Sequence, residues 1–191
     1  MEITHIRIKH TKYYLIETEC SILGFDVAWP GMLHDYLREI KRAGKDIKKL
    51  KAFVVSHFHI DHAGIAGELT EYGIKIGILN TQQHAISILE AFSIRKGLPY
   101  TKINPEMLDI FTEKESSDWL EQYGISGRIY STPVHSSDSI SLVLDTGNCL
   151  VGDMPLPCQM MRKEDGIEYW DMLLEKGINT ILPAHAREYR L

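Results

Sequence analysis

The chain has 191 residues, 44% of them hydrophobic and 25% charged, with 14 glycines and 7 prolines. That is the composition of a globular domain with a sizeable core, and it excludes collagen-like, low-complexity and disordered classes. A formal charge of -5, from 21 Lys and Arg against 26 Asp and Glu, disfavours a role that must neutralise a run of phosphates, so no nucleic-acid partner is expected.

No apolar stretch approaches the roughly 18 residues of a membrane span, and the opening MEITHIRIKHTKYYL alternates charged with apolar residues. Neither a membrane partner nor an export leader is therefore expected. The three cysteines, Cys20, Cys149 and Cys158, form no C-x-x-C pair and are odd in number, which fits a reducing, cytoplasmic compartment. Length alone implies a single domain over 1–191. The densest basic run, Lys45, Lys48, Lys49 and Lys51, reads as a solvated surface.

In chain order, Ile3 to Lys9, Tyr13 to Thr18 and Ile22 to Asp26 read as short strands of an opening meander. From Met32 to Ala43, Leu33, Tyr36, Leu37 and Ile40 recur at helical spacing and Gly44 supplies the stop. Ala52 to Val55 reads as a buried strand. A short helix at about Ala63 to Tyr72, a strand at Ile74 to Leu79 and a helix at Gln82 to Lys96 follow, the last with Ala85, Ile88, Leu89 and Phe92 along one stripe.

Between Gly97 and Gly124 periodicity weakens, and only Ser117 to Tyr123 suggests a helical turn. This segment reads as an excursion over the site. Its Tyr100, Lys102, Met107 and Trp119 have two readings, packing of the segment itself or control of substrate access. Strands are expected at Arg128 to Ser131, Ser139 to Leu144, Cys149 to Gly152 and Thr180 to Leu182, with a helix from Glu164 to Lys176 before the last.

Chemistry concentrates in Ser56-His57-Phe58-His59-Ile60-Asp61-His62-Ala63, at the end of an expected buried strand. Imidazole and carboxylate are preferred zinc ligands. Alternation in an extended segment puts His57 and His59 on one side, whereas Asp61 and His62, adjacent at a helix start, must diverge. One ion can take the first pair and a second ion the next. Four groups do not complete two sites, so further ligands are needed. His135 in TPVHSSDS, Asp153 in VGDMP and His185 in LPAH, each at a strand boundary, are the candidates.

The segments SHFHIDHAG, TPVHSSDS, VGDMP and PAHA, in this order, resemble the metallo-beta-lactamase superfamily, and the resemblance runs from Tyr14 to His185. It implies an alpha-beta-beta-alpha sandwich: two mixed beta-sheets face to face, flanked by helices, with two divalent metal ions at one edge. Zinc is the first expectation; manganese or iron are alternatives. By position, His57, His59 and His135 resemble ligands of the first metal, Asp61, His62 and His185 those of the second, and Asp153 the bridge. Asp26 resembles the family's supporting aspartate. Ala28, Val134 and Ala184 stand where the family commonly has glycine, so the local loops are expected to differ slightly.

The expected function is that of a metal-dependent hydrolase in which a metal-bridged hydroxide, positioned by Asp61, attacks a small ester, thioester, lactone or phosphoester. Two other classes remain open. One is a mononuclear iron oxidoreductase of the sulfur-dioxygenase kind, held by His57, His135 and Asp153. The other is a non-catalytic metal-binding protein. Exposed sheet edges leave a homodimer open. His5, His10 and His34 read as solvated and without partners, His84 as structural, and Cys158 as a small packed thiol.

Overall fold

The computed structural model describes residues 1–156 and 166–191. Cys158 and the start of the helix expected from Glu164 lie outside the described residues. Among the described residues, eleven strands form two sheets. The first contains β1 (Glu2–Ile8), β2 (Thr11–Glu17), β3 (Ile22–Phe25), β4 (Leu50–Val54), β5 (Lys75–Leu79) and β6 (Leu108–Phe111), in chain order across the sheet. The opening meander is antiparallel, and from β3 onward neighbours run parallel.

The second sheet has the order β11 (Tyr189–Arg190), β10 (Thr180–Pro183), β9 (Asn148–Val151), β8 (Ile140–Leu144) and β7 (Gly127–Ser131). Only its β9–β10 pair is parallel. Both sheets are therefore mixed.

Among the described residues the α-helices are α1 (Leu33–Arg42), α2 (Ile60–Ala63), α3 (Ala66–Glu71), α4 (Gln83–Arg95), α5 (Ser116–Glu121) and α6 (Ile167–Glu175). Because side chains alternate along a strand, each sheet sorts its apolar residues onto two faces. Tyr13, Leu15 and Phe53 pack with Leu33, Tyr36, Ile40, Leu69 and Leu89 of α1, α3 and α4. Their neighbours Tyr14, Ile16 and Val54 turn the other way and meet Ile129, Leu142 and Leu150 of the second sheet. The outer face of that sheet, Val143, Cys149 and Ile181, packs against Trp170 and Leu173 of α6. Helix, sheet, sheet, helix is the resulting order of layers, as the resemblance implies.

Four readings are corrected. The helix expected over 63–72 starts earlier and breaks at Gly64, because Val27 bridges Ala63 and the Ile65 N–H donates to the Ala28 carbonyl. In α4 the buried residues are Ala85, Leu89 and Ser93, while Ile88 is 61% exposed. The segment 97–124 does not arch over the histidines. It supplies edge strand β6 and helix α5, and Trp119 packs on Phe111 and Tyr123 with its indole N–H donating to Asp109 Oδ2 at 2.9 Å. Within it, Lys102 pairs with Glu90, and Tyr100 packs on the first core.

The basic run is not simply solvated: Lys45 is nearly buried and pairs with Glu2 at 2.9 Å and Glu17 at 2.8 Å, and Lys49 joins Glu17 at 3.2 Å. Cys149 is buried and Cys20 exposed, both as free thiols. Among the described residues, no helix is long and apolar enough to cross a membrane.

Candidate metal centre

Four strands that run parallel to a neighbour end at one place. β3 ends in Asp26, β4 in the SHFHIDH turn, β9 in Gly152-Asp153 and β10 in Ala184-His185. The β7–β8 connection brings His135 to the same place. All seven ligand candidates converge there, drawn from positions 57 to 185.

They fall into interlocking groups. His57 Nε2 lies 2.9 Å from His59 Nδ1, which is 3.2 Å from His135 Nε2. His62 Nε2 lies 3.4 Å from His185 Nε2, and Asp61 Oδ2 is 3.4 and 3.3 Å from these two nitrogens. Asp153 stands between the groups. Its Oδ2 faces His135 at 3.5 Å and His57 at 4.0 Å, and its Oδ1 faces His62 at 3.2 Å and His185 at 3.1 Å.

This donor set fits divalent metal ions. Ligands about 2.0–2.1 Å from a tetrahedral zinc lie roughly 3.3 Å from one another, which is the spacing found within each group. Asp153 Oδ1, moreover, is fully buried without a hydrogen-bond partner. A buried carboxylate oxygen left bare is costly unless a cation or proton satisfies it.

The supporting hydrogen bonds orient the rings. Asp26, fully buried, accepts from the Ser56 N–H at 2.6 Å, the Ser56 hydroxyl at 3.0 Å and His62 Nδ1 at 2.8 Å. Donation from Nδ1 to Asp26 leaves Nε2 as the atom His62 turns toward the centre. His57 Nδ1 lies 2.9 Å from Ser56 Oγ, completing a relay from His57 through Ser56 to Asp26. His185 Nδ1 donates to the His10 carbonyl at 3.1 Å, which likewise frees its Nε2. Asp138 ties the two loops together, since its Oδ2 accepts the Phe58 N–H at 2.7 Å and its Oδ1 the Ser136 hydroxyl at 2.8 Å. Gln82, fully buried, donates to the carbonyls of Val55 and Asp138.

Gly152 is required by close approach. A Cβ there would come within 2.0 Å of Ser56 Oγ and 3.3 Å of His57 Nδ1. The substituted glycine positions have no such demand, because among the described non-glycine residues only Lys9 and Asp26 have positive φ. Val134 instead fills space against Gly166.

Electrostatics sort the members. Burial, and then the neighbouring imidazoles, hold His57 far below the usual histidine range, so it stays neutral with a free lone pair. Burial opposes a charge on His62, but Asp26, Asp153 and Asp61 together outweigh it and raise its pKa well above normal. Burial also acts against ionised Asp61, yet the hydrogen bond and charge of His62 bring its carboxyl down to about 2. Asp153 is lowered too, with burial opposed by His62, His185 and His135. Three carboxylates around one imidazole make a strongly negative point, the field a divalent cation needs.

Two cavities flank the cluster. One, of about 380 Å³, lies between His59 and Asp61 on one side and Phe58, Ile60, Ile88, Leu89 and Phe92 on the other. The second, about 250 Å³, lies along His135, Asp153 and His185 with Met154 and Leu156. Ser56, Gln82, Asp138 and the cavity face of α4 were not singled out from sequence. Asp138 and Ser56 sit inside the recognised motifs, but Gln82 carries no local signal. His5, expected to be partnerless, lies 3.9 Å from Glu188; His10 is exposed, as expected, and it is its backbone carbonyl that holds His185. His84 reaches Ser137 at 3.2 Å.

A sequence profile of the metallo-beta-lactamase superfamily matches residues 23–185, and with its two mixed sheets and flanking helices the chain belongs to that superfamily. Solved structures agree at the level of fold. A metallo-beta-lactamase family protein from Thermus thermophilus, TTHA1429, superposes with a TM-score of 0.73 at 17% identity, covering 99% of this chain and 74% of that one. The B3 metallo-beta-lactamase BLEG-1 gives 0.69 at 19% identity, covering 99% and 94%. TTHA1623, solved in a di-iron-bound form, gives 0.71 at 16% identity, covering 100% and 94%. None of the curated proteins compared matches the sequence.

Proposed function

We propose that this chain is a hydrolase dependent on two divalent metal ions, zinc first among them, acting on a small ester, thioester, lactone or phosphoester. The observation that carries this reading is the division of the Asp153 carboxylate, one oxygen toward His57 and His135 and the other toward His62 and His185. In the proposed assignment His57, His59 and His135 hold the first ion, Asp61, His62 and His185 the second, and Asp153 both. Paired divalent ions lower the pKa of water from about 15.7 toward about 7 and draw charge from a carbonyl or phosphoryl oxygen.

The protein's own groups supply the rest. Asp61, ionised throughout the neutral range, orients water through Oδ2 and is itself held by Tyr13, whose hydroxyl donates to the Asp61 carbonyl at 3.0 Å. His57 and His62 are fixed by Ser56 and Asp26 and cannot swing out. Phe58, Ile88 and Phe92 form an apolar wall beside His59, which excludes water and takes an apolar part of the substrate. The chain is proposed to act as one domain on a small molecule in the cytoplasm.

An assembled second group argues against a mononuclear iron oxidoreductase, for which Asp61, His62 and His185 would be superfluous. Iron remains the second choice of metal, since the similar TTHA1623 takes two irons. The test is elemental analysis of protein purified without added metal, followed by an ester, thioester, lactone and phosphodiester panel before and after chelation. Hydrolysis should vanish on chelation and return with zinc, manganese or iron. It should be abolished by Asp153→Ala with secondary structure kept. Full activity in metal-free protein contradicts the proposal, and one iron per chain with oxygen consumption favours the oxidoreductase.

A further inference from the structure

A third cavity, of about 510 Å³, opens on the other side of His185 and is lined by His5, Arg7, Lys12, Arg187 and Glu188. Its wall is built by strand alternation. In the antiparallel β1–β2 pair, Arg7 stands directly opposite Lys12, and His5 lies two residues away on the same face. Like charges directly opposite one another destabilise a hairpin. The remedy commonly available, a neighbouring carboxylate, is not supplied to Lys12. It is only 7% exposed, and among the described residues its ammonium makes no hydrogen bond or ion pair. Its one close partner is the Tyr14 ring, 5.6 Å away.

Glu188, the single acid among the described residues of the cavity wall, lies within ion-pair range of His5 and not of Lys12. Burial acts against the Lys12 charge; Glu188 offsets part of this, and Arg7 adds a smaller opposition. The hairpin is nonetheless anchored to the reaction centre, since the Lys12 N–H donates to the Ala184 carbonyl at 2.9 Å and the His10 carbonyl holds His185. Nearly buried positive charge with no ion-pair partner among the described residues, in a concave site sharing a wall with His185, is the arrangement that recognises an anionic group.

We propose that the Arg7–Lys12–Arg187 cavity binds an anionic oxygen group of the substrate, a carboxylate or phosphoryl, so that the molecule hydrolysed is an anionic ester or thioester. The proposal rests on the hydrolase reading above and narrows it. An incoming oxyanion would relieve the Arg7–Lys12 repulsion and accept hydrogen bonds from both, which a neutral substrate cannot. The apolar wall on the His59 side would then take the other end of the same molecule.

Two arms test it on the metal-loaded protein. In the first, kcat/KM is compared for a phenyl thioester bearing a free carboxylate, the same compound as its methyl ester, and a phosphoryl-bearing analogue. Lys12→Met should lower the ratio of charged to neutral substrate at least tenfold, and Arg7→Gln should lower it by less. Whichever charged analogue shows the larger loss identifies the oxyanion. A ratio unchanged in both variants overturns the proposal. The second arm titrates benzenesulfonate, an anion that coordinates metals poorly, by calorimetry at low ionic strength. Binding to the native protein should weaken with salt and fall at least tenfold in Lys12→Met, whereas no binding, or equal binding to native protein and both variants, overturns the subsite. Arg7 is exposed, so Arg7→Gln keeps both arms decisive if Lys12→Met fails to fold. If no compound is hydrolysed by any form, the hydrolase reading fails, and the sulfonate arm still decides the subsite.

Discussion

Asp26 shows how much of the centre depends on one residue outside the ligand set. Its φ of 66° lies in the left-handed region, a conformation that costs roughly 1–3 kcal/mol for a non-glycine residue. The carboxylate offsets this by accepting from Ser56 twice and from His62 once. Asp26→Asn would turn an amide N–H₂ toward at least one of those donors and release the His62 ring. Competition with a chromophoric chelator should show affinity for one of two metal equivalents reduced about 10–100-fold; unchanged affinity for both would remove Asp26 from the account. At this scale the ligand candidates His57, His59, Asp61 and His62 stood out in the sequence because H-x-H-x-D-H is local and compact. Gln82 and Asp138 did not, because their work is to satisfy backbone groups 27 to 80 positions away in the chain.

Among the elements, α4 is where periodicity and function part company. Ala85, Ile88, Leu89 and Phe92 form one apolar stripe in sequence, yet the helix buries Ala85 and Leu89 and turns Ile88 and Phe92 into the cavity beside His59 and Asp61. Apolar spacing finds a non-aqueous face but cannot say whether protein or substrate covers it. Leu89→Ala, leaving a hole in the first core, should cost about 2–5 kcal/mol in thermal or urea unfolding. Ile88→Ser, at a side chain 61% exposed, should cost under about 0.5 kcal/mol while changing the ratio of kcat/KM between long and short acyl substrates. Equal destabilisation by both would mean that Ile88 is core. Edge strand β6 and the break between α2 and α3 escaped the sequence reading for a related reason. Each depends on a partner strand or a β-bridge supplied from elsewhere in the chain.

For the whole molecule, the two mixed sheets bring the ends of β3, β4, β9 and β10 to one edge, and every ligand candidate except His135 follows the end of one of these strands. Strand ends of this kind leave backbone free to turn and side chains free to converge, which is why α/β sheets place ligands there. The sandwich was legible from the motif set rather than from strand patterns, since short apolar runs do not reveal which sheet a strand joins. Around this edge the chain arranges an apolar wall on the His59 side and a basic one on the His185 side, with Asp153 between the histidine groups.

The central claim, that Asp153 joins two ion sites, is met most directly by anomalous diffraction from crystals grown with saturating zinc. The account predicts two strong peaks about 3.5–4 Å apart, one among His57, His59 and His135, the other among Asp61, His62 and His185, with a carboxylate oxygen of Asp153 reaching each. A single peak, or none within bonding distance of Asp153, would contradict it.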